Sequence, residues 1–129
     1  KKLRGQIDFG MFLPVQKAAI AALTGPLDMV KTQCGLYQQR RDALCGGLRA
    51  IGWDVPDSHG SMFVWAPIPA KYERSMDFCL DLVEKSGVLC TPGSSFGPLG
   101  EGYVRFALTL PPERIAEAVK SIQESGILD

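Results

Sequence analysis

The sequence predicts an α+β fold of two layers, a mostly antiparallel sheet covered by helices. Three observations predict it. Segments of helical period and runs of strand character follow one another from Pro26 to Asp129 in the order α, β, β, α, β, β, α. Glycine and proline clusters punctuate nearly every junction. The strand runs come in two neighbouring pairs, as antiparallel partners do.

The elements follow in order. FGMFLPVQKAAIAAL (9–23) runs up to Pro14 and opens a helix whose only polar residues are Gln16 and Lys17, so it needs cover on more than one side, from a larger body or an oligomer interface. Thr24-Gly25-Pro26 ends it, and Pro26 suits an early position of a second, long helix. Val30, Cys34, Tyr37, Leu44, Leu48 and Ile51 form its apolar stripe, interrupted by Arg41. Gly46-Gly47 costs roughly 1 kcal/mol per glycine relative to alanine, which points to a bend or a close approach of another backbone. Gly52 is a natural stop. Trp53-Asp54-Val55 and Met62 to Pro67 read as a hairpin whose second strand is apolar on both faces. Ser75 is expected to cap a helix that turns Met76, Cys79, Leu80 and Val83 inward and ends at Gly87. A second strand pair occupies Val88 to Leu108, and Pro111-Pro112-Glu113 opens a last helix with Ile115, Ala118, Val119 and Ile122 in phase, closed by Gly126.

Composition narrows the function. The 129 residues are 46% hydrophobic and 22% charged, enough for one globular domain with a core. Fourteen basic residues balance fourteen acidic ones, which leaves no electrostatic footprint for nucleic acid or an anionic membrane. The longest apolar runs fall short of the roughly 18 to 20 residues of a membrane helix, and KKLRGQ lacks the apolar core of a secretory leader. Cys34, Cys45, Cys79 and Cys90 are widely spaced among apolar neighbours, as reduced core residues of a cytoplasmic protein are. With the single His59 they make a poor metal set, so no metal is expected.

Arg105 is the charge that needs a reason. Alternation puts Tyr103, Arg105 and Ala107 on one strand face and Val104, Phe106 and Leu108 on the other. Either it snorkels from an edge strand or pairs with Glu101 at the surface, or its anion is a ligand. The Gly93 to Gly102 loop resembles a phosphate cradle only in its glycines, because it runs into a strand rather than a helix; it reads as a strand connection. His59 reads as an exposed turn residue, with no nucleophile placed to use it as a base.

In their order, FGMFLPVQKAAIAAL, QQRRDALCGGL, GWDVP, GSMFVWAPIP and GVLCTPGSSFGPLGEGYVRFALTLPPERIAEAVKSI resemble the C-terminal part of the class I/II, fold-type I pyridoxal-phosphate aminotransferases. The resemblance is closest to the alanine and LL-diaminopimelate aminotransferase-like branch and covers practically the whole chain. Its most specific element is PGSSFG through Gly102-Tyr103-Val104-Arg105-Phe106-Ala107. The resemblance implies that residues 26–129 are the small domain and residues 1–25 a remnant of the large one. It implies that Arg105 binds the α-carboxylate of the substrate, and that the parent is a cytoplasmic homodimer taking amino acids and 2-oxo acids. It implies pyridoxal 5'-phosphate in that parent, held by a large domain that carries the Schiff-base lysine. No SKxxxxxGxRxG-like sequence is present, and the resemblance places Lys1 and Lys2 after the cofactor motif, so no residue of this chain is assigned a catalytic or cofactor-binding role. The chain alone is expected to bind no cofactor and to be inactive. Asp8 to Phe12 resembles the segment that approaches the partner's active site, without individual roles. Two other readings are a stand-alone amino-acid-binding regulatory module without catalysis and a fragment whose apolar surface drives self-association.

Overall fold

The computed structural model describes residues 3–7 and 10–129. Lys1, Lys2, Asp8 and Phe9, and with them part of the expectation for Asp8 to Phe12, lie outside the described residues. The chain divides into two units, Lys1–Gln33 and Cys34–Asp129.

In the first unit, α1 (Leu13–Thr24) starts with Pro14 in its first turn, where the missing amide hydrogen costs nothing. None of its residues is buried within this chain, and Phe12, Ile20 and Leu23 are exposed. The helix α2 (Asp28–Ala50) begins in this unit and ends in the second; it starts two residues beyond Pro26. Only its C-terminal part reaches a core, through Leu44, Cys45 and Leu48, whereas Val30 and Cys34 are exposed. The apolar stripe is therefore used from Tyr37 to Ile51, which pack against the core, and not at its N-terminal end. Gly47 meets a side chain rather than a backbone, since a Cβ there would lie 3.1 Å from Val119 Cγ2.

The second unit holds the sheet. β1 (Phe63–Pro67) pairs antiparallel with β3 (Tyr103–Ala107), and β3 pairs antiparallel with the two-residue β2 (Thr91–Pro92), giving the order β1-β3-β2. α3 (Ser75–Ser86) lies between β1 and β2 in the chain, and α4 (Pro112–Glu124) follows β3. Trp53 to Val55 forms no strand: Trp53 reaches β1 through its indole N–H, which donates to the Pro67 carbonyl at 2.8 Å, so the expected hairpin is replaced by a side-chain tether. Among the described residues four α-helices and three strands result where two strand pairs were expected.

The core sits on one face of this sheet. Val64, Ala66, Val104 and Phe106 point into it, with Trp53, Phe78, Leu82, Ile115, Val119 and Ile122. Phe78 is fully buried and meets Trp53 edge-on at 5.3 Å. β1 is not apolar-buried on both faces as expected. Its burial alternates, and Phe63 and Trp65 stay half-exposed on the face away from the core.

α3 also corrects its expectation. Phe78, Cys79 and Leu82 face the core, and Met76, Leu80 and Val83 are exposed. Ser75 is the first helical residue rather than a cap. Its hydroxyl bonds Ser94 Oγ at 3.1 Å, while its N–H donates to Glu101 Oε1 at 2.6 Å. Gly87 ends the helix in a left-handed conformation (φ 70°) that suits glycine. In α4, Ile115, Val119 and Ile122 are buried as expected, with Ala118 half-buried.

Candidate anion-binding site on the central strand

β3 is the middle strand, so its alternation separates two environments. Val104 and Phe106 fill the core; Arg105 leaves the opposite face half-buried. In register it stands opposite Trp65 on β1 and Thr91 on β2. An edge-strand arginine could turn into water, but this one has a strand on each side.

Its surroundings are aromatic. The Arg105 Cζ lies 4.1 Å from the centroid of the Phe63 ring and 4.4 Å from that of Phe96, over both ring faces. Trp65 meets Phe96 edge-on at 5.6 Å and stacks on Tyr103 at 5.9 Å. Among the described residues the guanidinium is therefore held by ring faces rather than by a counter-charge. Glu101, the surface partner considered from sequence, is engaged elsewhere: it accepts from Ser75 N–H and from Gly102 N–H at 2.9 Å. These bonds, the Gly102 amide foremost, hold its carboxyl below the ordinary glutamate range. The Arg105 Nε is buried and has no hydrogen-bond partner among the described residues. A buried donor left unmet costs about 1 to 3 kcal/mol, so a fold keeps one where something else requires it.

A cleft of about 340 Å³ opens against Arg105 between Pro56 to Ser58, Ser61, Phe63 and Trp65. A larger groove of about 750 Å³ runs between α4 and residues 86–92, and Arg105 contributes to its wall as well. The smaller cleft is the better candidate for recognition, because it joins the guanidinium to Phe63 and Trp65, whereas the larger one has mostly aliphatic and hydroxyl walls.

The loop that carries Phe96 is shaped by backbone contact. Residues Gly93–Phe96 and Pro98–Gly100 form two short 3-10 turns. Gly93 and Gly100 are buried against each other so closely that a Cβ on either would fall within about 2 Å of the other's carbonyl oxygen: 2.0 Å from Gly93 and 2.1 Å from Gly100. The loop is tied to α3 by the Ser75–Ser94 contact. Its glycines thus serve a strand connection, since the loop leads into β3 and not into an α-helix whose N-terminus would complete a phosphate cradle.

The chain matches the family model "Aminotransferase class I and II" over residues 2–122. The chain belongs to the class I and II aminotransferases. An LL-diaminopimelate aminotransferase of Halothermothrix orenii is 44% identical over 126 residues, 98% of this chain and 32% of that protein. One of Desulforudis audaxviator is 42% identical over 122 residues, covering 95% and 31%. A solved aminotransferase from Staphylococcus aureus superposes with a TM-score of 0.88 at 30% identity, covering 99% of this chain and 34% of that one. The chain thus spans about a third of the length of the relatives it matches.

The family implies pyridoxal phosphate in the intact aminotransferase. That cofactor needs an amine for its Schiff base, and no lysine among the described residues lines the cleft at Arg105. Lys85 pairs with Asp81 at 3.1 Å and Lys120 with Glu124 at 3.6 Å, both on the surface. The residues of this cleft do not fit the cofactor.

His59 is exposed, as expected of a turn residue. Cys45, Cys79 and Cys90 are buried free thiols and Cys34 is exposed; burial pushes the thiols of Cys45, Cys79 and Cys90 up. No described helix is long and apolar enough to cross a membrane. Sequence reasoning missed Phe63, Trp65 and Phe96 as site residues. The signal was available in part, since Phe63 and Trp65 occupy the alternate positions of a strand whose other face already fills the core.

Proposed function

We propose that the protein containing this chain is a pyridoxal-phosphate-dependent transaminase that moves an amino group between an amino acid and a 2-oxo acid, and that Arg105 binds the α-carboxylate common to both. One observation carries the role of Arg105. It is a half-buried guanidinium on the middle strand, faced by aromatic rings, with a buried Nε that no described residue satisfies. A carboxylate is the complementary ligand, because a planar fork can give it two parallel hydrogen bonds and thereby fix the substrate's orientation as well as its position. Holding the substrate in one orientation sets its α-carbon for proton transfer, which is what the clamp contributes to rate.

Residues 26–129 then act as the small domain, residues 1–25 as a remnant of the large one, and the intact protein as a cytoplasmic homodimer. The cofactor is supplied outside this chain, which by itself binds none and does not transaminate. Equilibrium dialysis of the chain against pyridoxal phosphate tests the last point, and stoichiometric retention would overturn it.

In the intact aminotransferase, Arg105→Ala is expected to lower kcat/KM by the equivalent of about 2 to 5 kcal/mol, the scale for removing one partner of a desolvated charge pair. Steady-state kinetics with an amino-acid donor measures it. Unchanged kcat/KM would end the assignment of Arg105.

A further inference from the structure

Two aromatic side chains stand where apolar burial does not explain them. Phe96 is 51% exposed, and Phe63 is half-exposed on the face turned away from the core, yet each presents a ring face to the Arg105 Cζ. Each is also fixed by a polar or backbone device of its own.

Phe63 follows Ser61, a non-glycine residue in the left-handed region (φ 68°), a conformation that costs energy unless its surroundings hold it. The Ser61 Oγ accepts the Phe63 N–H at 3.0 Å, and the Ser58 Oγ lies 2.9 Å from the Phe63 carbonyl oxygen and 2.8 Å from that of Gly60. These two serine hydroxyls set the backbone from which the ring departs. Phe96 is delivered from the other side by the loop that the Gly93–Gly100 contact closes and the Ser75–Ser94 bond anchors. Two separate turns therefore converge on one guanidinium.

We propose that Phe63 and Phe96 are positioning residues for the anion site: their π faces hold the Arg105 guanidinium in one orientation and keep water off its faces, so that its remaining in-plane donors meet a carboxylate already aligned. The inference rests on the reading of Arg105 as a carboxylate site. It adds that the flanking residues must be aromatic and not merely apolar, because a ring face attracts a cation and an aliphatic side chain of similar size does not. Without the rings an arginine side chain samples many rotamers, and ordering it at the moment of binding subtracts from affinity.

The test uses the 129-residue chain labelled with 15N-arginine, with acetate as the probe at constant ionic strength. The Arg105 Nε–H signal is assigned by its loss in Arg105→Lys. The wild-type signal is expected to carry a ring-current shift away from the exposed arginines and to move on acetate addition. Phe63→Leu and Phe96→Leu should return it toward the exposed arginines and raise the acetate concentration for half-saturation about tenfold each, the scale of one well-made interaction. Phe63→Tyr and Phe96→Tyr should keep both properties. Neither ring belongs to the buried core, so the leucine variants are expected to fold, and far-UV circular dichroism with tryptophan fluorescence reports whether they do.

Leucine variants that bind acetate as the wild type does would overturn the positioning role and leave the carboxylate reading standing. A ring-shifted Arg105 that no acetate concentration perturbs would overturn the carboxylate reading, and the role given to the rings with it. Tyrosine variants as weak as the leucine ones would show that shape rather than aromatic character matters, which also overturns the proposal.

Discussion

A Cβ on Gly93 would lie 2.0 Å from the Gly100 carbonyl oxygen and 2.7 Å from that of Tyr103, distances that no side-chain rotation relieves. Gly93→Ala must therefore open the loop rather than adjust it. It is expected to destabilise the chain by at least about 2 kcal/mol, measured by urea unfolding, because it forces backbone apart instead of crowding a flexible side chain. Arg105 should behave in the opposite way. Arg105→Met removes a buried unmet donor and two cation–π contacts at once, costs of opposite sign that are each about 1 to 2 kcal/mol, so unfolding should shift by less than about 1 kcal/mol while acetate binding is lost. The position of Arg105 on its strand face was legible in the sequence, since period-two alternation is local. The meeting of Gly93 with Gly100 was not, because it depends on two consecutive short turns folding back on each other.

The helix α3 shows where sequence reasoning reaches its limit among the elements. Its existence and its Gly87 end were readable, but apolar residues surround it, and which face turns inward is decided by where the sheet lies. Its first turn was assigned to Ser75, a residue of capping type, whereas the Ser75 amide is met by Glu101 from far along the chain. No local pattern contains such a partner. The Glu101 carboxylate also lies near the positive end of the helix dipole. It carries a testable pH signature. Its folded pKa is depressed, so its stabilisation is complete above the unfolded value of about 4.3 and is lost as pH falls through the lower folded value. The difference in melting temperature between the wild type and Glu101→Gln should hold from neutral pH to about 5 and shrink below about 4. A difference that stayed constant throughout that range would remove Glu101 from the account of this helix end.

At the scale of the molecule, one cluster around Phe78 and Trp53 joins the two helices α3 and α4 to the sheet. Phe78 is fully buried, so Phe78→Ala is expected to cost about 3 to 5 kcal/mol, seen as one cooperative loss in urea by both tryptophan fluorescence and circular dichroism. That contrasts with α1, which has the composition of a buried helix and buries nothing within this chain. The α+β class and the family resemblance were legible because helical stripes, turn residues and the PGSSFG to Arg105 stretch are all local or ordered in sequence. The second strand pair shrank to a two-residue β2, and the first never formed, because an indole side chain took the place of a ladder. The strictly alternating β3 has one more consequence. Adding or deleting a single residue ahead of Tyr103 would turn Val104 and Phe106 outward and drive Arg105 into the core in the same event. Insertions and deletions there are thus filtered by folding before they can ever be filtered by recognition, and the arginine's place is inherited along with the fold itself.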